Sequence, residues 1–166
     1  MVESQQIEPG KQEIVLTQAF DAPRELVWEA CTDPELVSQW WGPKSLKTTV
    51  EQMDVRPGGL WRIVQRDAEG NEYAFHGIFH EVTAPEQLVY TFEFEGMPGH
   101  VLLETDTFED LGSNRTKMTN RLVFQSVEDR DAMLQSGMRA EMDEIMDLLD
   151  ELLKRQTSQK QAAPAR

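Results

Sequence analysis

The stretch Trp40-Trp41-Gly42-Pro43, followed by Asp54-Val55-Arg56-Pro57-Gly58-Gly59-Leu60-Trp61, decides the fold. Two adjacent indoles ahead of a Gly-Pro breaker do not suit a regular amphipathic helix, so a helix ends there. In the second stretch a strand runs into Pro-Gly-Gly, and a new strand opens on Trp61. Glycines at such a turn reach backbone angles that residues with a Cβ resist. The chain therefore passes from short helices into a run of hairpins at about residue 45.

Toward the N-terminus, residues 1–12 are polar, with Pro9-Gly10 near their end, and are expected to be flexible. Ile14, Leu16 and Phe20 among polar neighbours predict a first strand over 13–20. Asp21-Ala22-Pro23 starts a short helix over 23–31, because Pro in a first turn gives up an N–H that has no partner there. Asp33-Pro34 repeats the signal and starts a second short helix that reaches about Trp40. Toward the C-terminus, strands are predicted over 48–55, 60–65, 73–82, 88–95, 101–108 and 116–124, separated by Gly-, Pro- and Asp-rich turns. The run 88–95 alternates cleanly, with Leu88, Tyr90, Phe92 and Phe94 on one face. Ser126 then caps one long helix carrying Leu134, Met138, Met142, Ile145, Leu149 and Leu152 at three- and four-residue steps. From residue 156 the chain is polar and Ala-Pro-rich, and a disordered tail is expected over 156–166.

The expected architecture is α+β: a seven-stranded curved antiparallel sheet around a long C-terminal helix, with two short helices after the first strand. A sheet with one dry face needs a cover, and the amphipathic helix supplies it. One domain over 13–155 accounts for the patterned chain.

Composition narrows the function classes. The net charge is −14, and the basic residues form no cluster longer than pairs such as Lys154-Arg155, which argues against a nucleic-acid binder. No apolar run approaches the roughly 20 residues of a membrane helix, so no membrane insertion is expected. Met1-Val2-Glu3-Ser4 lacks the basic start of a secretory signal, and the single cysteine, Cys31, fits a reducing cytoplasm. The acidic excess over 128–151 reads as a solvated helix face, with a docking surface for a basic partner as the alternative.

The reactive side chains form no recognisable catalytic pattern. His76 and His80 are four apart, but on a strand that spacing is roughly 13 Å, too far for one metal ion. Cys31 closes a short helix, away from the helix start that activates a thiol. There is no G-x-S-x-G elbow and no phosphate-binding Gly loop, so neither a catalytic residue nor a cofactor is assigned. The aromatics are more suggestive. Trp40, Trp41, Trp61, Tyr73, Phe75, Tyr90 and Phe92 suit a pocket that is mostly apolar with a few aimed polar groups, as well as they suit plain core. Alternation with Met118 and Leu122 turns Asn120 inward, where its amide bonds either a neighbouring strand or a ligand. Met138 and Met142 stud the last helix and fill irregular gaps or line an adjustable cavity.

The element order, together with Phe20-Asp21-Ala22-Pro23-Arg24-Glu25-Leu26-Val27-Trp28, the Asp33-Pro34 to Trp40-Trp41-Gly42-Pro43 stretch, Asp54-Val55-Arg56-Pro57-Gly58-Gly59-Leu60-Trp61, His76-Gly77-Ile78-Phe79-His80-Glu81-Val82 and Pro85-Glu86-Gln87-Leu88-Val89-Tyr90-Thr91-Phe92, resembles the helix-grip superfamily called SRPBCC or START-like. The branch is similar to homologues of the activator of a heat-shock chaperone's ATPase, the AHSA-type domain, over roughly residues 13–153. The resemblance implies a cavity between sheet and last helix. The superfamily includes lipid and sterol carriers, hormone receptors and polyketide cyclases. The expected partner is a small hydrophobic or aromatic molecule held by Trp40, Trp41, Trp61, Tyr73, Phe75, Tyr90, Phe92, Met118, Asn120, Met138 and Met142. One alternative is a chaperone or other protein partner in a stress response. The other is a cyclase- or dehydratase-type enzyme, which a paired carboxylate or histidine inside the cavity would favour. Many relatives place Trp after the Gly of the last helix, where this chain has Gly137-Met138.

Overall fold

Alternating apolar residues build one antiparallel sheet, and helices cover its dry face. The computed structural model describes residues 3–162. In chain order the elements are β1 (Ser4–Gln6), β2 (Glu13–Phe20), α1 (Arg24–Thr32), α2 (Pro34–Trp40), β3 (Lys47–Met53), β4 (Leu60–Arg66), β5 (Glu72–Thr83), β6 (Gln87–Phe94), β7 (Val101–Gly112), β8 (Arg115–Val123), α3 (Val127–Gln135) and α4 (Met138–Ala162). The sheet order is β1-β2-β8-β7-β6-β5-β4-β3. Strands β3 to β8 follow one another as hairpins, and β2 returns to pair with the last of them.

Three expectations are corrected. The sheet has eight strands, not seven, because Ser4–Gln6, inside the segment expected to be flexible, pairs with Val15–Thr17 at the edge. The single long helix is two. Gly137, at φ +90°, takes a backbone conformation open to glycine and breaks the axis between α3 and α4. Residues 156–162, expected as tail, continue α4, and the rest of the expected tail, 163–166, lies outside the described residues.

The sheet's inner face carries Ile14, Leu16, Gln18 and Phe20 from β2, Trp61 and Ile63 from β4, Leu88 from β6, Leu102 and Phe108 from β7, and Met118, Asn120 and Leu122 from β8, all buried. Helix α4 turns Met138, Met146, Leu149, Leu152 and Leu153 to the same core. Helix α1 lies over β7 and β8, and α2 packs against β3 and α4. The outer face is ionic: Arg62 pairs with Glu51 and Glu95, and His76 stands between Glu93 and Glu95.

Two caps fix the helix starts. Asp33 accepts from the Glu35 N–H at 3.0 Å, and Ser126 Oγ accepts from the Asp129 N–H at 3.1 Å. Ser126→Ala is expected to lower stability by about 1 kcal/mol, read as a shift of the urea midpoint at unchanged slope. An unshifted midpoint would show that α3 contributes nothing to the cooperative fold.

Candidate functional site

The inner face has an aromatic half and a polar half, and one residue joins them. In the aromatic half, Phe75 from β5 lies 5.4 Å from Phe92 and 5.1 Å from Phe94 on β6, ring centre to ring centre. Trp61 from β4 sits 5.8 Å from Phe92 and 6.0 Å from Tyr90. Trp41, just past α2, caps the group, edge-on to Phe75 at 5.1 Å. Offset and edge-to-face contacts of this kind each add about 0.5–1.5 kcal/mol beyond area burial. The Trp61 indole crosses over Gly77 and donates to the Thr91 carbonyl at 3.1 Å.

The polar half follows from strand register. Asp106 on β7 is opposite Asn120 on β8 and Leu88 on β6, and Glu104 is opposite Tyr90 and Leu122. All of these point inward. Asp106 accepts from the Asn120 amide at 2.6 Å and from the Tyr90 hydroxyl at 2.9 Å. Glu104 lies beside Asp106 and opposite Tyr90. Two carboxyl groups in contact in an apolar interior do not both ionise; they share a proton. Burial raises the pKa of both, and the neighbouring Asp106 charge pushes Glu104 up further. Donation from Glu104, Asn120 and Tyr90 offsets part of the rise at Asp106. Both carboxyls are therefore held toward the protonated form, Glu104 the further of the two. The same surroundings raise Tyr90 and keep it a neutral donor.

Tyr90 joins the two halves: its ring belongs to the aromatic group and its hydroxyl ends on Asp106. Cys31 comes down from α1 beside the pair. Burial, then Asp106 and Glu104, raise its pKa, so it is a neutral thiol and no nucleophile. Gln18 lies on the same face, one strand over, with a buried side-chain oxygen that has no partner.

Tyr90, Glu104 and Cys31 are deeply enclosed by protein, yet each keeps part of its surface accessible. Phe75, Phe92, Trp41 and Met142 are likewise only partly closed off. A separate open recess of about 560 Å³ is lined by Asp21, Pro23, Asn114, Arg115, Thr157 and Lys160, among others, and shares no residue with the aromatic group.

Of the eleven residues expected to line a site, Trp41, Trp61, Phe75, Tyr90 and Phe92 come together. Asn120 is beside them through Asp106. Met118 and Met138 are buried in the core, and Met142 packs against it. Trp40 points elsewhere, donating to the Ala30 carbonyl at 2.8 Å. Tyr73 stands apart at the end of β5, 38% exposed, with its hydroxyl on Asp67. Glu104, Asp106 and Gln18 were not expected. The signal was the inward phase of Leu102 and Phe108 for positions 104 and 106, and of Leu16 and Phe20 for position 18. Among the described residues, no group of three or more His, Cys, Asp or Glu could hold a metal ion. No helix among them is long and apolar enough to cross a membrane.

The sequence pattern of the family described as "Activator of Hsp90 ATPase homolog 1-like protein" matches residues 21–154. The chain belongs to that family. Solved structures agree. A protein from Arthrobacter aurescens superimposes with a TM-score of 0.86 at 27% identity, covering 93% of each chain. One from Rhodobacter sphaeroides gives 0.83 at 26%, covering 92% of this chain and 99% of that one. One from Mycobacterium smegmatis gives 0.83 at 24%, covering 92% and 97%, a likeness of fold alone. These are the SRPBCC-type grip structures that the sequence resembled. No curated protein matches the chain at a significant level.

Proposed function

We propose that this family member binds a small, flat, largely apolar molecule inside the grip, between the inner sheet face and α4. One observation carries the reading: Tyr90, Glu104 and Cys31 keep accessible surface in the deep interior, beside a wall of aromatic rings. Sites of this composition fix an apolar body by area and its orientation by few polar groups. Trp41 and Trp61 lie in the aromatic wall and report binding directly. Naphthalene-sized ligands are expected to quench tryptophan emission saturably. Tyr90→Phe, which keeps the ring and removes the hydroxyl, is expected to weaken polar ligands by about three- to tenfold. Absence of saturable quenching up to about 1 mM, the weak end of specific binding, for aromatic alcohols, amines and fatty acids alike overturns the reading.

The carboxyl pair supports a second reading, acid–base chemistry of cyclase or dehydratase type, with Glu104 as the acid. Turnover of a bound ligand, lost in Glu104→Gln with binding retained, separates catalysis from carriage. Docking on a chaperone is a further proposal that rests on the family description alone.

A further inference from the structure

The polar half of the site is short of donors. Asp106 already accepts from Tyr90 and Asn120, and Glu104 beside it is partly accessible. Among the described residues no Lys or Arg pairs with either carboxyl, so a charge on the pair stands in the interior without a counter-charge. An uncompensated buried charge is costly, and a bound ion of opposite sign removes that cost. Tyr90, Trp61 and Phe92 form the neighbouring aromatic group, and aromatic rings attract cations at their π-faces.

We propose that the interior site takes an organic ammonium ion carried on an apolar body, its N–H groups donated to the Glu104–Asp106 pair. The inference rests on the binding reading above and names its ligand class. An ammonium group offers three donors and no acceptor, the complement of what the pocket lacks. The bound state is electrically neutral: one shared negative charge meets one positive charge, and the shared proton stays on the pair. A neutral alcohol of the same shape satisfies the oxygens but leaves the charge alone. A carboxylate ligand is repelled. The other titratable groups that face the pair, Tyr90 from β6 and Cys31 from α1, are both held neutral, and α4 presents Met and Leu side chains.

The test compares 1-naphthylmethylamine with 1-naphthylmethanol, titrated against tryptophan emission of the full chain at neutral pH. Both runs use about 0.5 M salt, which screens attraction of cations to the acidic surface. The amine is expected to bind tighter by about tenfold or more. Glu104→Gln with Asp106→Asn removes the charge and is expected to abolish the preference while the alcohol still binds. Equal binding of amine and alcohol by the wild type overturns the ammonium inference and leaves the pocket reading standing. An unchanged amine preference in the folded double variant also overturns it, since the cation then sits elsewhere. Binding of neither probe overturns both. Should the double variant fail to fold, the wild-type pair alone decides.

Discussion

Gly77→Ala is expected to cost about 3 kcal/mol or more, read from urea unfolding, and to change the near-ultraviolet signal of the tryptophans. Gly77 lies in the middle of β5, opposite Trp61 on β4. A Cβ added there comes 1.8 Å from the Thr91 carbonyl oxygen and 2.5 Å from Trp61 Nε1. Neither atom is free to leave. The carbonyl is backbone, and the indole is held by its own hydrogen bond to that carbonyl and by contacts with Tyr90 and Phe92. The methyl group must therefore push β6 off β5 or turn Trp61 out of the aromatic group. Either movement disturbs the wall proposed to hold the ligand, so stability and ligand quenching fall together. A variant within about 1 kcal/mol of wild type would show that the indole does not need bare backbone beneath it.

The same local geometry marks what a reader of the sequence can and cannot see. Strict alternation in 88–95 predicted that Leu88, Tyr90, Phe92 and Phe94 share a face, and the register places all four inward, because a half-buried strand has little other way to hide them. The strand β1 carries no such pattern. Ser4-Gln5-Gln6 is polar and joins the edge through backbone pairing, which leaves no trace in side-chain type. The break at Gly137 is masked for a different reason: Leu134 and Met138 are four apart, so the apolar period continues across it. The carboxyl pair was within reach. Leu102, Glu104, Asp106 and Phe108 occupy alternate positions, and the first and last are core residues. Acidic residues are assigned to solvent by default, since burial of a charge is costly. What could not be read was the register that sets Asp106 opposite Asn120 and Glu104 opposite Tyr90, because pairing across β6, β7 and β8 depends on turn geometry and bulges.

Glu104→Gln is expected to make the protein progressively more stable than wild type as pH rises. Burial and the Asp106 charge raise the Glu104 pKa well above its ordinary 4.5 in the fold. In the unfolded chain the same carboxyl loses its proton near that ordinary value. Above it, the unfolded state binds fewer protons than the native state, so unfolding becomes easier with each step in pH. The slope is about 1.4 kcal/mol per pH unit for one proton. The stabilising contribution of the shared proton is whole below pH 4.5 and is lost as pH climbs through the folded value. Glutamine keeps a donor toward Asp106 and has no proton to lose, so this slope vanishes in the variant. Asp106, whose pKa is raised from 3.8, contributes a slope of the same sign in both proteins. Urea unfolding of the two proteins between about pH 5 and pH 8 should give stability curves that diverge in favour of the variant, and the pH at which divergence stops marks where Glu104 ionises in the fold. Parallel curves would mean that Glu104 ionises in the fold as it does in water. The shared proton would then be absent, and with it the physical basis for a single interior negative charge.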